Sequence, residues 1–225
     1  MAGPAPAGPA SGPSRRGPVT YLSLALTLAT GAGVTWYYLH LKEKRLSKMR
    51  DKVETVGVAA IGGPFDLVDG QGKRFTDRDL RGRFSLLYFG FTHCPDICPD
   101  ELEKLAKALD RIEKEHGYQV QPVFISIDPE RDDPPRVAKY VQQFHPRLIG
   151  LTGPLDQVKA AARAYRVYYT KTSDDTKDYL VDHSIIMYLV DPNGDFATFF
   201  GKNVAEPELA AGIWDRVHAW KGNPA

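Results

Sequence analysis

Ser85-Leu-Leu-Tyr-Phe-Gly-Phe91 runs directly into Thr92-His93-Cys94-Pro95-Asp96-Ile97-Cys98-Pro99. The first segment is an apolar run bounded by polar residues, which reads as a buried central strand. The second places Cys94 just past the carboxyl end of that strand and Cys98 at or just before the next helix. From about Pro99 onward, Leu102, Leu105, Leu109 and Ile112 recur at helical spacing, and proline suits a first helical turn.

Upstream, Phe65–Val68, the turn Asp69-Gly-Gln-Gly72 and Lys73–Thr76 predict a hairpin. Downstream, Pro122–Ile127 predicts a second buried strand and Pro134–Phe144 a helix. Leu148–Leu151 predicts a short strand and Pro154–Tyr165 another helix. Ser184–Val190, the turn Asp191–Gly194 and Asp195–Phe200 predict a late hairpin, and Glu206–Trp220 a closing helix. Strands alternating with helices imply a partly parallel sheet covered on both faces. The order suggests an α/β, thioredoxin-like fold with an N-terminal hairpin extension. A CxxC near a βαβ pattern is the usual cue, and here the spacing is one residue longer.

The expected domain layout has four parts. Residues 1–18, rich in Ala, Gly and Pro, read as a disordered tail. Residues 19–41 contain no Asp, Glu, Lys or Arg and end near Trp36, Tyr37 and Tyr38. That is about the length a helix needs to cross a bilayer, with aromatic rings at an interface, so a single-pass transmembrane helix is expected. A cleaved signal peptide is the alternative, but its apolar region is usually only about 7–15 residues. Residues 42–61 read as a charged linker, and 62–225 as the thioredoxin-like domain.

Composition excludes several functions. The chain has 29 basic and 28 acidic residues, so no basic stripe marks a nucleic-acid face. It has only 2 cysteines, which rules out a disulfide-stapled scaffold. Met1, Met49 and Met187 form no methionine-rich cluster for thioether ligation.

The cysteine pair is the candidate chemistry. Helix N–H groups and the macrodipole stabilise a thiolate at a helix start, and thiolate is both nucleophile and metal ligand. An i, i+4 spacing can set both sulfurs on one side of a helical turn. Two soft sulfurs suit Cu(I), and also zinc. The inert alternative is a structural disulfide or two buried thiols. A third ligand is sought among the 6 histidines. His40 ends the uncharged run, His116 and His218 lie in helices, and His145 sits beside Pro146. His93 adjoins Cys94, where an extended backbone would turn its side chain away. His183 immediately precedes the predicted strand 184–190. In a thioredoxin-like sheet that strand runs antiparallel to the one ending at Cys94, so its start lies at the same edge. Imidazole suits copper, and His183 is the third candidate ligand. A redox thioredoxin keeps a cis-proline in that loop, yet no proline occurs from Val167 to Val190. The loop Asp128-Pro-Glu-Arg-Asp-Asp133 admits two readings, a docking surface near the metal or a solvated loop.

At Phe89–Lys104, Phe124–Asp132, Arg163–Tyr169 and Tyr179–Tyr188, the chain resembles the Sco family of mitochondrial and bacterial copper proteins. The resemblance covers about Gly62 to Gly201 and is closest to the mitochondrial branch. It implies copper held by Cys94, Cys98 and His183, as Cu(I), Cu(II) or both. It also implies a copper metallochaperone that helps load the binuclear copper site of cytochrome c oxidase subunit II, with a small soluble chaperone as donor. The implied location is the mitochondrial inner membrane with the C-terminal domain in the intermembrane space; the alternative is a bacterial inner membrane facing the periplasm. Two features depart from this pattern. The amino end carries no Arg-rich amphipathic transit-type stretch, which a truncated or alternative start would explain. Lys42, Lys44, Arg45, Lys48 and Arg50 oppose the positive-inside rule for that orientation. The competing enzyme reading is a tethered thiol–disulfide oxidoreductase that reduces its partner's cysteines before metallation. A peroxidase of the same fold class fits less well, because the close second cysteine favours exchange or chelation.

Overall fold

The computed structural model describes residues 21–53, 61–171 and 181–221. The expected tail 1–18, the first two residues of the uncharged run, part of the linker, and Tyr179 and Leu180 of the last motif lie outside the described residues. The chain divides into two units, residues 1–58 and 59–225.

In the first unit, α1 (Tyr21–Val53) is one continuous helix of 33 residues, joining the uncharged run to the basic segment after it. Among the described residues, no helix is long and apolar enough to cross a membrane. The uncharged run reaches the required length, but Ser23, Thr27, Thr30, Gly31, Gly33, Thr35 and His40 dilute its apolar character. The hydroxyls of Thr27, Thr30 and Thr35 donate to the carbonyls of Ser23, Leu26 and Gly31 at 2.7–2.9 Å.

The second unit is built on a seven-stranded sheet. Its strands are β1 (Asp66–Asp69), β2 (Arg74–Thr76), β3 (Ser85–Gly90), β4 (Gln121–Ser126), β5 (Ile149–Thr152), β8 (Ile186–Val190) and β9 (Phe196–Gly201). The order is β2-β1-β5-β4-β3-β8-β9. β3, β4 and β5 are parallel, while the β1–β2 and β8–β9 hairpins run antiparallel on either side. A separate pair, β6 (Tyr169–Lys171) and β7 (Val181–His183), forms a second, two-stranded sheet.

The run that opened the sequence analysis is the centre of this core, since all six residues of β3 are buried. Its register sets two faces. Tyr88 lies beside Phe124, and Phe124 beside Gly150. That face receives α3 (Pro134–Val141): a Cβ on Gly150 would stand 2.5 Å from Val137 Cγ1, so only glycine lets the helix approach this closely. The residues between point the other way, and Phe89 meets Tyr165 at the end of α4 (Leu155–Ala164) with ring centroids 5.4 Å apart. α2 (Ile97–His116) lies on the Tyr88 face at its start and packs along α5 (Glu206–Ala219). Arg111 of α2 ties the pair by gripping Glu206 with two hydrogen bonds of 2.8 and 3.0 Å.

The predicted elements are present, with shifts of one to three residues at most ends. α2 starts at Ile97 rather than near Pro99 because the Asp96 carboxylate caps it, accepting from the Ile97 N–H at 2.6 Å. It stops at Gly117, whose φ of 66° is the left-handed conformation that ends helices.

Candidate metal centre

The cysteines sit where the carboxyl end of β3 turns into α2. The Cys94 N–H donates to the Phe91 carbonyl at 3.3 Å, folding the loop back on the strand. The Cys98 N–H then donates to Cys94 Sγ at 3.4 Å. The half-buried Cys94 sulfur thus accepts one of the orphan N–H groups of the helix start. Cys98, the second residue of α2, is fully buried and points down onto the sheet. A Cβ on Gly90 would lie 2.9 Å from its sulfur, so the strand must present a glycine there. The buried Tyr88 hydroxyl donates to Cys98 Sγ at 3.6 Å.

The loop is braced from below by a residue that the sequence reading did not single out. Asp132 is fully buried. Its carboxylate accepts from the Thr92 N–H at 2.9 Å, the Thr92 hydroxyl at 2.6 Å and the Ser126 hydroxyl at 2.6 Å. Hydrogen bonds to a charged acceptor contribute about 1.5–3 kcal/mol each, so the brace is firm. Asp128 is also buried and pairs with Arg131 at 2.6 Å. The 128–133 loop is therefore solvated only in part: Asp128 and Asp132 face inward, while Glu130 and Asp133 are exposed. The signal lay in Thr92 and Ser126, hydroxyl residues at the ends of neighbouring parallel strands that need a common acceptor.

His183 ends β7, where it pairs with Tyr169. The sequence reading placed it directly before a strand starting at Ser184; instead that strand begins at Ile186, and the extra pair β6–β7 carries the histidine. The antiparallel β3–β8 pairing still brings it to the expected sheet edge. Nδ1 lies 3.0 Å from the Ser184 carbonyl. A carbonyl only accepts, so Nδ1 carries a proton and Nε2 is the nitrogen that faces the sulfurs. Nε2 stands 3.4 Å from Cys98 Sγ. The ring is wedged edge-on between Tyr88 and Phe91, at centroid distances of 6.2 and 5.9 Å. A shallow depression of about 290 Å³ beside it is lined by Tyr168, Tyr169, Thr170, Asp182, His183 and Ser184. A cavity of about 470 Å³ near the β1–β2 hairpin, lined partly by Arg74 and Arg78, carries neither cysteine nor histidine.

The other described histidines are occupied elsewhere. His93 turns away from the sulfurs, with Nε2 3.1 Å from Arg136 and Nδ1 3.5 Å from Asp132. His145 is buried and accepts from the Arg147 N–H. His116 stacks on Trp214 at 3.9 Å, and His40 stacks on Trp36.

The two thiols are strongly unequal. A hydrogen bond from Cys98, with further ones from His183 and the N–H groups of Cys98 and Asp96, pulls Cys94 down to about 4, against an opposing effect of burial. Donating that hydrogen bond, together with burial, pushes Cys98 far up. Burial also pushes the Tyr88 phenol up, which keeps it an O–H donor. Among the described residues, no group of three His, Cys, Asp or Glu side chains already stands ready around a metal ion. Cys94, Cys98 and His183 instead hydrogen-bond to one another. As a donor set, a thiolate, a second thiol and an imidazole lone pair fit a soft or borderline transition metal.

Fold and site together define a thioredoxin-like protein with a thiol–imidazole centre at the carboxyl edge of its sheet. The SCO1/SenC family model matches residues 53–218, and the chain belongs to that family. It is 46% identical over 217 residues to the mitochondrial SCO1 homologue of Homo sapiens, covering 95% of this chain and 72% of that protein. It is 49% identical over 213 residues to mitochondrial SCO1 homologue 1 of Arabidopsis thaliana, covering 92% of this chain and 64% of that longer protein. The crystal structure of Arabidopsis thaliana ScoI with copper bound superposes with a TM-score of 0.69 at 55% identity, covering 72% of this chain and all of that one.

The thiol asymmetry gives a direct expectation. With Cys94 titrating at about 4, its alkylation by iodoacetamide in the reduced, metal-free protein should be nearly flat from pH 6 to 8. An ordinary thiol would instead accelerate about tenfold per unit while still below its pKa. Cys98 should stay unmodified. A steep rise for Cys94, or equal labelling of both, would contradict the asymmetry.

Proposed function

We propose that this chain is a copper metallochaperone that carries copper between Cys94, Cys98 and His183. The observation that carries the reading is the convergence of Cys98 Sγ and His183 Nε2 at 3.4 Å, beside a Cys94 sulfur depressed to about 4. Copper is cargo: two sulfurs favour Cu(I), and the imidazole adds a ligand suited to Cu(II). Loading requires Cys98 to give up its proton and the three donors to open from their mutual hydrogen bonds. Copper-bound crystal structures of relatives support this cargo. Family membership supports a role in cytochrome c oxidase assembly, with subunit II as acceptor and a small soluble chaperone as donor. A second reading is favoured by the unequal thiols: a half-buried, low-pKa Cys94 to attack and a buried Cys98 to resolve, as in a thiol–disulfide oxidoreductase.

The reduced protein should bind one copper per chain, and its Cys94–Cys98 disulfide form none. His183→Ala should weaken Cu(II) binding most and leave Cu(I) on the two thiolates, while sparing disulfide exchange. Competition titrations in both oxidation states, beside a glutathione exchange assay, check this. Unchanged affinities in His183→Ala would remove His183 from the site. Loss of exchange with copper binding intact would favour the oxidoreductase.

Residues 19–41 are proposed to anchor the chain in the mitochondrial inner membrane, with residues 62–225 in the intermembrane space. Its support is the uncharged run, the threonine hydroxyls satisfied within their own helix, and the mitochondrial names of relatives. Such self-satisfied hydroxyls lower the cost of placing threonine in hydrocarbon. After carbonate extraction the full chain should pellet with membranes; release to the supernatant would overturn the anchor.

A further inference from the structure

Phe84, Phe89 and Phe91 are the other aromatic residues in and around β3, and each is buried as a plain ring. Tyr88 alone among them carries a hydroxyl into the core, at 0% exposure. A buried phenol needs a hydrogen-bond partner to offset its desolvation. The partner here is a sulfur, Cys98 Sγ, at 3.6 Å. The same ring stands edge-on to His183, with centroids 6.2 Å apart and planes at 70°. Two residues further along the strand, Gly90 leaves the space in which that sulfur rests, and a Cβ there would contact both Cys98 Sγ and the Tyr88 ring. Packing alone would be served by phenylalanine, so the hydroxyl needs its own explanation.

We propose that Tyr88 is a positioning residue of the copper site, whose hydroxyl donates to the Cys98 sulfur and lowers that sulfur's electron donation to bound copper. The inference rests on the copper-binding reading above. A hydrogen bond to a ligating sulfur withdraws electron density from it, one of the ways a protein tunes a copper–thiolate centre. Tyr88 therefore favours Cu(I) over Cu(II) and holds Cys98 in the orientation it has without metal. In the disulfide, sulfur is a poorer acceptor than in a thiol or thiolate. The same hydroxyl then stabilises the reduced pair over the bridged one.

The test compares the full chain with Tyr88→Phe, which keeps the ring, and with 3-fluorotyrosine placed at position 88, a stronger donor. The sulfur-to-Cu(II) charge-transfer band should move to lower energy in Tyr88→Phe and to higher energy with fluorotyrosine. The Cu(II)/Cu(I) ratio set by a redox mediator should rise in Tyr88→Phe and fall with fluorotyrosine. Without metal, two glutathione thiols reduce the Cys94–Cys98 bridge and leave as glutathione disulfide. Tyr88→Phe should shift that equilibrium toward the bridge by about two- to tenfold, the worth of one hydrogen bond. A band that stays put, or that moves the same way in both chains, would show that Tyr88 only packs. If the unaltered chain binds no copper, the metallochaperone reading fails by itself. The glutathione equilibrium then decides on Tyr88 alone: a shift upholds the hydrogen bond and no shift overturns it. If Tyr88→Phe does not fold, the fluorotyrosine chain gives the same decision by the sign of its shifts.

Discussion

A fully buried cysteine in the first turn of α2 needs room under its sulfur and polar partners around it. Gly90 gives the room, since any side chain there would meet the sulfur. Tyr88 and His183 give the partners. This contact fixes how far α2 can sink onto β3, and the approach of α2 decides where Cys94 hangs above it. The same position keeps His183 at the sheet edge, because its ring is wedged against Tyr88 and Phe91 of the same run. Burial of one thiol and partial exposure of the other follow from that single packing.

The second support is Asp132. It reaches from the 128–133 loop to hold Thr92 and Ser126. Cys94 can therefore remain half-exposed without its loop wandering, because the residue two positions earlier is pinned by a buried carboxylate. The result combines an accessible thiolate with a rigid base. That combination suits the exchangeable cargo proposed above.

The main sheet was legible because period and burial agree: Ser85–Phe91 and Pro122–Ile127 are continuous apolar runs, and parallel central strands are built from such runs. Helix ends moved because capping is a local choice; Asp96 claims the N-cap and advances α2 past the proline cue. That Cys94 and Cys98 lie together was legible from spacing, and that His183 reaches the same sheet edge was legible from topology. Tyr88 and Asp132 were not singled out, because one reads as core and the other as a loop acid until the fold brings them to sulfur and hydroxyl. The pair β6–β7 escaped notice because its strands are three residues each and carry no alternating pattern. For α1, the absence of charge over residues 19–41 was visible in the sequence, while serine, threonine and glycine leave the run less apolar than its length suggests.

The central claim is that two sulfurs and one imidazole converge on a single copper ion. X-ray absorption at the copper edge of the loaded, reduced protein tests it most directly. The account predicts a shell of two sulfurs and one nitrogen from Cys94, Cys98 and His183, with the nitrogen lost in His183→Ala and one sulfur lost in Cys94→Ser. A shell made only of sulfur, or one unchanged by Cys94→Ser, would contradict it.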